Sequence, residues 1–294
     1  MYAWDKEAFM GYIDLHVHSN KSDGTLSPAL LAAHAAERGL KAIALTDHDC
    51  VAGIKEANAA AKKLLVDGAP LRIVPGVEIS ADYKNRDIHI LGLFINTENS
   101  ELLTALDSAL AARDKRNEKM VKNLQDAGLD ITMEDLLFGT SDTVITRAHF
   151  ARHLLAKGYV KTTEEAFLKY LDINTPYYVR REYMLPDTAI RLIRSAGGIP
   201  VLAHPLLYHL DSDGVRALVK KLKGEGLMGI ETIYSKNTGT DEAFVRKLAA
   251  QFNLLMTGGS DFHGANKPDI EIGVGRGNLR IPEKMLEELE KARG

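Results

Sequence analysis

About seven short apolar runs recur along this chain, and most of them end in, or carry, a histidine or a carboxylate. They are Ile13–Val17, Lys41–Thr46, Leu71–Ser80, Asp87–Phe94, Gly198–Ala203, Met228–Ile233 and Leu254–Thr257. Runs this short with little polar alternation read as strands buried on both faces. Helical stretches separate most of them. Ser27-Pro28 opens one, with serine as cap and proline at the first helical position, and Gly39 ends it. Val51–Val66, Asp187–Ala196, Val215–Lys223 and Asp241–Phe252 follow the same logic. Asn85 and the charges around it read as a hairpin turn between the third and fourth strands. Strand–helix alternation predicts an α/β fold with a parallel sheet or barrel, and functional residues gather at the carboxyl ends of barrel strands.

The alternation breaks after residue 97. Residues 99–127 read as one long helix with Leu103, Leu106, Leu110, Met120 and Leu124 on a stripe that Arg113 and Asn117 interrupt. Shorter helical segments follow at 132–138, 146–157 and 162–171, and no strand is expected before residue 199. The expected organisation is therefore a barrel domain from 1–97 and 183–294, with a helical insertion at 98–182 that covers the mouth of the site. A short strand near Ile272 and a charged helix at 282–293 complete the expected elements.

The polar residues at strand ends are the candidate site. His16-x-His18 places two imidazoles on one side of a strand, since alternate side chains share a face. Asp23, His48, Glu78, His89, His204, Asp261 and His263 each follow or interrupt an apolar run, giving six imidazoles and three carboxylates in all. A mixed N/O set suits Mn, Fe or Zn better than Mg or Ca. One bridging carboxylate can bring two such ions to roughly 3.5–4 Å, the two-metal hydrolytic arrangement. His34, in the middle of a helix, reads as an ordinary packed or surface histidine.

Composition removes other classes. The 294 residues are 45% apolar and 26% charged, with net charge −3, so no global basic field points to duplex DNA. The single cysteine, Cys50, excludes an internal disulfide and a thiolate metal cage. Residues 1–11 lack the apolar core of a signal peptide, and no run of 18 apolar residues exists, so a cytoplasmic location without membrane association is expected.

His16-x-His18, Ser22-Asp23-Gly24, Thr46-Asp47-His48-Asp49, Pro75-Gly76-Val77-Glu78, His89, Ala203-His204-Pro205 and Gly259-Ser260-Asp261-Phe262-His263 together resemble the PHP (polymerase and histidinol phosphatase) superfamily over nearly the whole chain. The resemblance implies a distorted seven-stranded (β/α)7 barrel with a trinuclear centre of two to three divalent ions, manganese favoured. It assigns His16, His18, Glu78 and Asp261 to a first metal. Glu78 would bridge to a second with His89 and His204, and Asp23, His48 and His263 would hold a third. Thr146-Arg147-Ala148-His149-Phe150-Ala151, with Gly158-Tyr159-Val160 and Tyr178-Val179, is similar to the branch acting on nucleotide phosphates. That branch has proline where this chain has Ala148, which predicts a less rigid helix start.

The activity expected is hydrolysis of nucleotide phosphate monoesters (nucleoside monophosphates or 3′,5′-bisphosphates) by in-line attack of a hydroxide bridging two metals. Arg147 is the foremost phosphate clamp, because guanidinium binds phosphate oxygens bidentately. Arg181, His149 and Lys21 are further candidates. The charged run Arg113, Lys115, Arg116, Lys119 and Lys122 reads as a solvated helix face without an aromatic platform for bases. Short RNA is the alternative substrate. Histidinol phosphatase, amidohydrolase and non-catalytic metal-binding readings are the others, and no obligate protein partner is evident.

Overall fold

The computed structural model describes residues 12–140 and 142–293. The expectation for residues 1–11 lies outside the described residues. Strand β1 (Ile13–Val17) is followed by α1 (Pro28–Glu37), where the Ser27 side chain accepts from Leu30 N. Then come β2 (Ala42–Leu45), α2 (Ile54–Val66), β3 (Arg72–Tyr83) and β4 (Arg86–Leu93). Helices α3 (Ser100–Asp126), α4 (Arg147–Ala156) and α5 (Thr163–Ala166) come next, and a π turn at Phe167–Leu171 continues α5. Helix α6 (Pro186–Ser195) leads to β5 (Ile199–Leu202), α7 (Ser212–Gly224), β6 (Gly229–Tyr234), α8 (Gly239–Gln251), β7 (Leu255–Gly259) and α9 (Lys284–Arg293).

The seven strands pair in chain order, β1 to β7. Pairing is parallel from β1 to β3 and from β5 to β7. β4 is antiparallel to both β3 and β5, and its pairing with β3 is the hairpin expected around Asn85. The physical reason is the tight β3–β4 hairpin, in which Lys84 and Asn85 both have positive φ (51° and 67°). A connection that short cannot return the chain for parallel pairing. The sheet nearly closes into a barrel: His18 N donates to Phe262 O at 3.0 Å and Asp261 N to His16 O at 2.8 Å. Gly259 permits this approach, because a Cβ there would lie 2.2 Å from the His16 Cβ.

One core cluster ties strands from both ends of the sheet together through Ile13, Leu15, Val74, Leu91, Val201 and Ile281. Met120, Leu124, Phe150, Leu154 and Leu171 belong to a separate cluster among the helices between β4 and β5. The region of Ile272 forms no named strand; an isolated bridge between Glu271 and Gly275 stands in its place. His34 lies 2.8 Å from Glu271 on the outside of the fold, in keeping with its ordinary reading. Among the described residues no helix is long and apolar enough to cross a membrane.

Candidate metal centre

β1 projects Asp14, His16 and His18 to one side, while Ile13, Leu15 and Val17 enter the core on the other. The loop after β1 supplies Asp23 and the loop after β2 supplies His48. Asp47 fastens these two loops: its carboxylate accepts from Ser19 N at 2.8 Å and from the Ser19 and Ser22 hydroxyls at 2.6 Å each. His48 then bridges to Glu78 on β3. Ser80 faces His89 in the β3–β4 register. His204 follows β5 at φ 24° and Asp261 follows β7 at φ 58°. Non-glycine residues in that region hold strained backbone, which gathers at functional sites.

Glu78 is the hub. It is 1% exposed. Its Oε1 lies 2.8 Å from His89 Nδ1 and 2.9 Å from His204 Nε2. Its Oε2 lies 3.3 Å from His16 Nε2, 3.2 Å from His18 Nε2 and 3.2 Å from His48 Nδ1. Asp261 Oδ1 stands 3.5 Å from His18 Nε2 and 3.3 Å from His263 Nδ1. Asp23 Oδ1 is 3.1 Å from His263 Nε2, and its Oδ2 is 3.7 Å from His48 Nε2. All nine candidate ligands from the sequence therefore meet in one place. Ligand atoms of His18, Asp23, His48 and His263 fall within 4.8 Å of one another, as do those of His16, His18 and Glu78, and those of His48, Glu78 and His89. His18 and His48 each belong to two groups, so they span the division of ligands that the family resemblance implies.

The electrostatics are those of a site built for cations. Burial alone would raise the Glu78 carboxyl, yet the surrounding imidazoles hold it well below the usual range. Asp23 is held low against burial by His263 and His48, and Asp261 by Lys267 and His263. Burial pushes His48 down to about 3. His89 is also buried, but Glu78 and Asp87 lift it to about 10.

The donor atoms fit divalent ions. His16 Nδ1 is 3.0 Å from Glu231 Oε1, a carboxylate that only accepts, so Nδ1 keeps its proton and Nε2 is the nitrogen left for a metal. Ser22 donates its hydroxyl to Asp47 and so can accept from His18 Nδ1 at 3.4 Å, which leaves His18 Nε2 for a metal too. The two Nε2 atoms face each other at 3.2 Å beside the Glu78 carboxylate. Buried Asp23 Oδ1 and His48 Nδ1 have neighbours near 3.1 and 3.2 Å, but those contacts are not aligned as hydrogen bonds. Converging acceptors of this kind need a cation between them.

Several supporting residues escape a reading of motifs. Glu231, fully buried on β6, also accepts from His204 N at 2.7 Å. A carboxylate that orients a ligating histidine in this way fixes its tautomer. Asp14 accepts from Ser260 N and Gly273 N, each at 2.8 Å, and burial raises its pKa to about 6. Tyr234 and Lys267 bind Asp261 Oδ2 at 2.8 and 2.6 Å. The available signal was an acid inside an apolar strand, Ile13-Asp14-Leu15 and Ile230-Glu231-Thr232.

The four candidate phosphate-binding residues sit differently from one another. Arg147 opens α4, lies 3.6 Å from Asp87, and has the Phe167 and Tyr178 rings 5.9 and 5.7 Å from its guanidinium. His149 is turned to its own helix, where its Nδ1 accepts from Thr146 N at 3.1 Å. That capping box anchors the helix start at which Ala148 replaces proline, and the Thr146 hydroxyl donates to Asp23 at 2.9 Å. Arg181 is buried 3.3 Å from Asp49. Lys21 lies 2.5 Å from Asp142. The expectation of a solvated charged face on α3 is corrected: Lys115, Lys119 and Lys122 are exposed, but Arg113 and Arg116 are buried. Arg113 reaches across to Asp49 at 2.5 Å and Ser80 at 3.2 Å, which turns that part of the helix inward.

A family model described as the PHP domain matches residues 14–179. The chain belongs to the PHP domain family. Among PHP relatives, a 5′-3′ exoribonuclease from Haemophilus influenzae is 37% identical over 250 residues, 85% of this chain and 89% of that protein. A 3′,5′-nucleoside bisphosphate phosphatase from Chromobacterium violaceum is 34% identical over 265 residues, 90% of this chain and 91% of that protein. The solved structure of a proposed metal-dependent phosphoesterase from Bifidobacterium adolescentis matches with a TM-score of 0.83 at 29% identity, covering 96% of each chain. This PHP protein is a metal-dependent phosphoester hydrolase.

Proposed function

We propose that the enzyme hydrolyses phosphate monoesters of nucleotides, nucleoside monophosphates or 3′,5′-bisphosphates, at a centre of two to three divalent ions, with manganese favoured. The observation that carries this reading is the convergence of six imidazoles and three carboxylates in one cluster, beside a group of arginines. The name of the Chromobacterium violaceum relative supports a nucleotide substrate.

His16, His18, Asp23, His48, Glu78, His89, His204, Asp261 and His263 would hold the ions. Bound there, the ions supply Lewis acidity and acidify water near neutral pH. The chain's own residues supply the rest. Glu231 and Ser22 keep protons on the outer nitrogens of His16 and His18, which directs both Nε2 lone pairs inward. Arg147 binds phosphate oxygens and shields their charge. Residues 98–182 act as an insertion over the site. Its contacts with the loop after β1 support this: Val144 N donates to Lys21 O at 2.9 Å and the Thr143 hydroxyl to Ser22 O at 2.6 Å. Arg181, His149 and Lys21, engaged with Asp49, Thr146 and Asp142, act by holding that insertion in place.

A second reading, 5′-3′ exoribonuclease action on short RNA, is favoured by the name of the Haemophilus influenzae relative. The deciding experiment is phosphate or nucleotide release with Mn²⁺ from nucleoside mono- and bisphosphates, short RNA, histidinol phosphate and an amide and lactone panel. Nucleotide monoesters are expected to give the highest kcat/KM. A higher value for RNA would establish the second reading, and turnover of amides or lactones alone would overturn both.

A further inference from the structure

Three residues in a row on the loop after β1 are held by the chain segment that leads into α4. Val144 N donates to Lys21 O at 2.9 Å, the Thr143 hydroxyl to Ser22 O at 2.6 Å, and the Thr146 hydroxyl to Asp23 Oδ2 at 2.9 Å. α3 pins the segment from its other side, where Asn117 Nδ2 donates to Ile145 O at 3.0 Å. Val144, Ile145 and Thr146 are all buried. Of the bonds to the loop, the one from Thr146 ends on a side chain, and that side chain is a candidate metal ligand.

Thr146 also caps α4. Its oxygen accepts from Ala148 N at 3.1 Å, and its own N–H donates to His149 Nδ1 at 3.1 Å. A hydroxyl carries one proton and two lone pairs, and an ionised carboxylate only accepts. The Thr146 proton therefore goes to Asp23 and a lone pair goes to the helix. One oxygen atom joins the metal centre to the start of α4, and Arg147 is the first residue of that helix. The position of its guanidinium depends on where the helix begins.

Asp23 is held on two sides. Asn266 Nδ2 donates to its backbone oxygen at 2.7 Å, and Thr146 takes Oδ2. The other carboxylate oxygen, Oδ1, is buried without a hydrogen bond, 3.1 Å from His263 Nε2 and 3.7 Å from His18 Nδ1. A rotation of the carboxylate that carried Oδ1 away from these imidazoles would break the bond to Thr146.

We propose that Thr146 is a positioning residue that couples cation binding to phosphate binding. Its hydroxyl fixes the Asp23 carboxylate for an ion shared with His48 and His263, and the same oxygen fixes the helix start that presents Arg147. Arg147 enters this coupling as the phosphate clamp of the proposed function, on which the reading rests. Such coupling is reciprocal: an ion at Asp23 strengthens phosphate binding at Arg147, and phosphate there strengthens ion binding.

The test uses chelator-treated protein carrying one of three substitutions. Thr146→Val removes the hydroxyl and keeps the shape, Thr146→Gly removes it at a cap position where glycine is tolerated, and Thr146→Ser keeps it. Mn²⁺ affinity is measured by competition with a fluorescent chelator. For one bound ion it is expected to fall about 10- to 100-fold in Thr146→Val and in Thr146→Gly, the scale for a group that orients a ligand, and to stay within about threefold of the parent in Thr146→Ser. An affinity within about twofold of the parent in both hydroxyl-free variants would overturn the inference. A lower Tm beside that unchanged affinity would assign Thr146 to the helix cap alone.

The coupling is read from inorganic phosphate binding to Mn²⁺-saturated parent, Thr146→Val, Arg147→Ala and the double variant. Arg147→Ala is expected to weaken phosphate about tenfold in the parent, but less than about threefold where Thr146 is already valine. Equal effects in the two backgrounds would overturn the coupling. If Arg147→Ala leaves phosphate binding unchanged in the parent, the clamp of the proposed function fails and the coupling with it, whereas the Mn²⁺ titration still decides whether Thr146 positions Asp23.

Discussion

Replacing Glu231 by glutamine changes one carboxylate oxygen to an NH₂ and leaves the volume almost unaltered. Glu231 accepts from two fixed donors, His16 Nδ1 at 3.0 Å and His204 N at 2.7 Å. Glutamine has one acceptor, so one of those donors must then face an NH₂. If His204 N is the one left unsatisfied, a buried backbone donor is stranded, at a cost of about 1–3 kcal/mol. If it is His16, the imidazole can escape only by moving its proton to Nε2. That proton would point at His18 Nε2, 3.2 Å away, and at Glu78, and would remove a lone pair from the ligand set. Either path weakens metal binding by about 10- to 100-fold, or roughly 1.4–2.7 kcal/mol. The assay is competition for Mn²⁺ between chelator-treated protein and a fluorescent chelator, with kcat/KM measured at saturating metal. Near-normal kcat/KM at high Mn²⁺ together with weakened affinity is the expected pattern. An Mn²⁺ affinity within twofold of the parent would refute the tautomer argument.

Arg147→Ala is expected to lower kcat/KM for a nucleotide phosphate by about tenfold or more, the scale of a lost charge-assisted contact; a value within twofold of the parent removes the clamp. Burial holds His149 neutral in the fold with its pKa pushed down to about 4, below the 6.5 of an exposed histidine. The stability this contributes is present above about pH 6.5 and is lost as pH falls toward 4, because the unfolded chain binds the proton first. His149→Gln keeps an acceptor for Thr146 N in the capping box without titrating, so its Tm should fall less than the parent's between pH 7 and pH 5. Equal slopes would show that His149 does not carry this dependence. Chelation should abolish hydrolysis and lower Tm, and both should return with Mn²⁺ in a concentration-dependent way; a Tm indifferent to chelator and metal would count against a cation completing the ligand cluster.

The chain's local chemistry carries much of the fold. Helix starts at Ser27-Pro28 and the turn at Lys84-Asn85 are set by residues within a few positions of one another. The same holds for His16-x-His18, since strand geometry alone places both rings on one side. All nine candidate ligands stood out because polar groups at the ends of apolar strands are costly unless a site uses them.

What only the tertiary structure decided concerns pairing between distant residues. The Glu231 contact with His16 spans 215 positions, and that of Arg113 with Asp49 spans 64. Nothing local distinguishes Arg116 from Lys115 or Lys119 on the same helix, yet of the three only Arg116 turns into the fold, where no carboxylate among the described residues pairs with it. Lys21 looked equally suited to phosphate and is instead held by Asp142. The value of a charge depends on its desolvation and on what faces it, and both are set by chain segments that sequence order keeps apart.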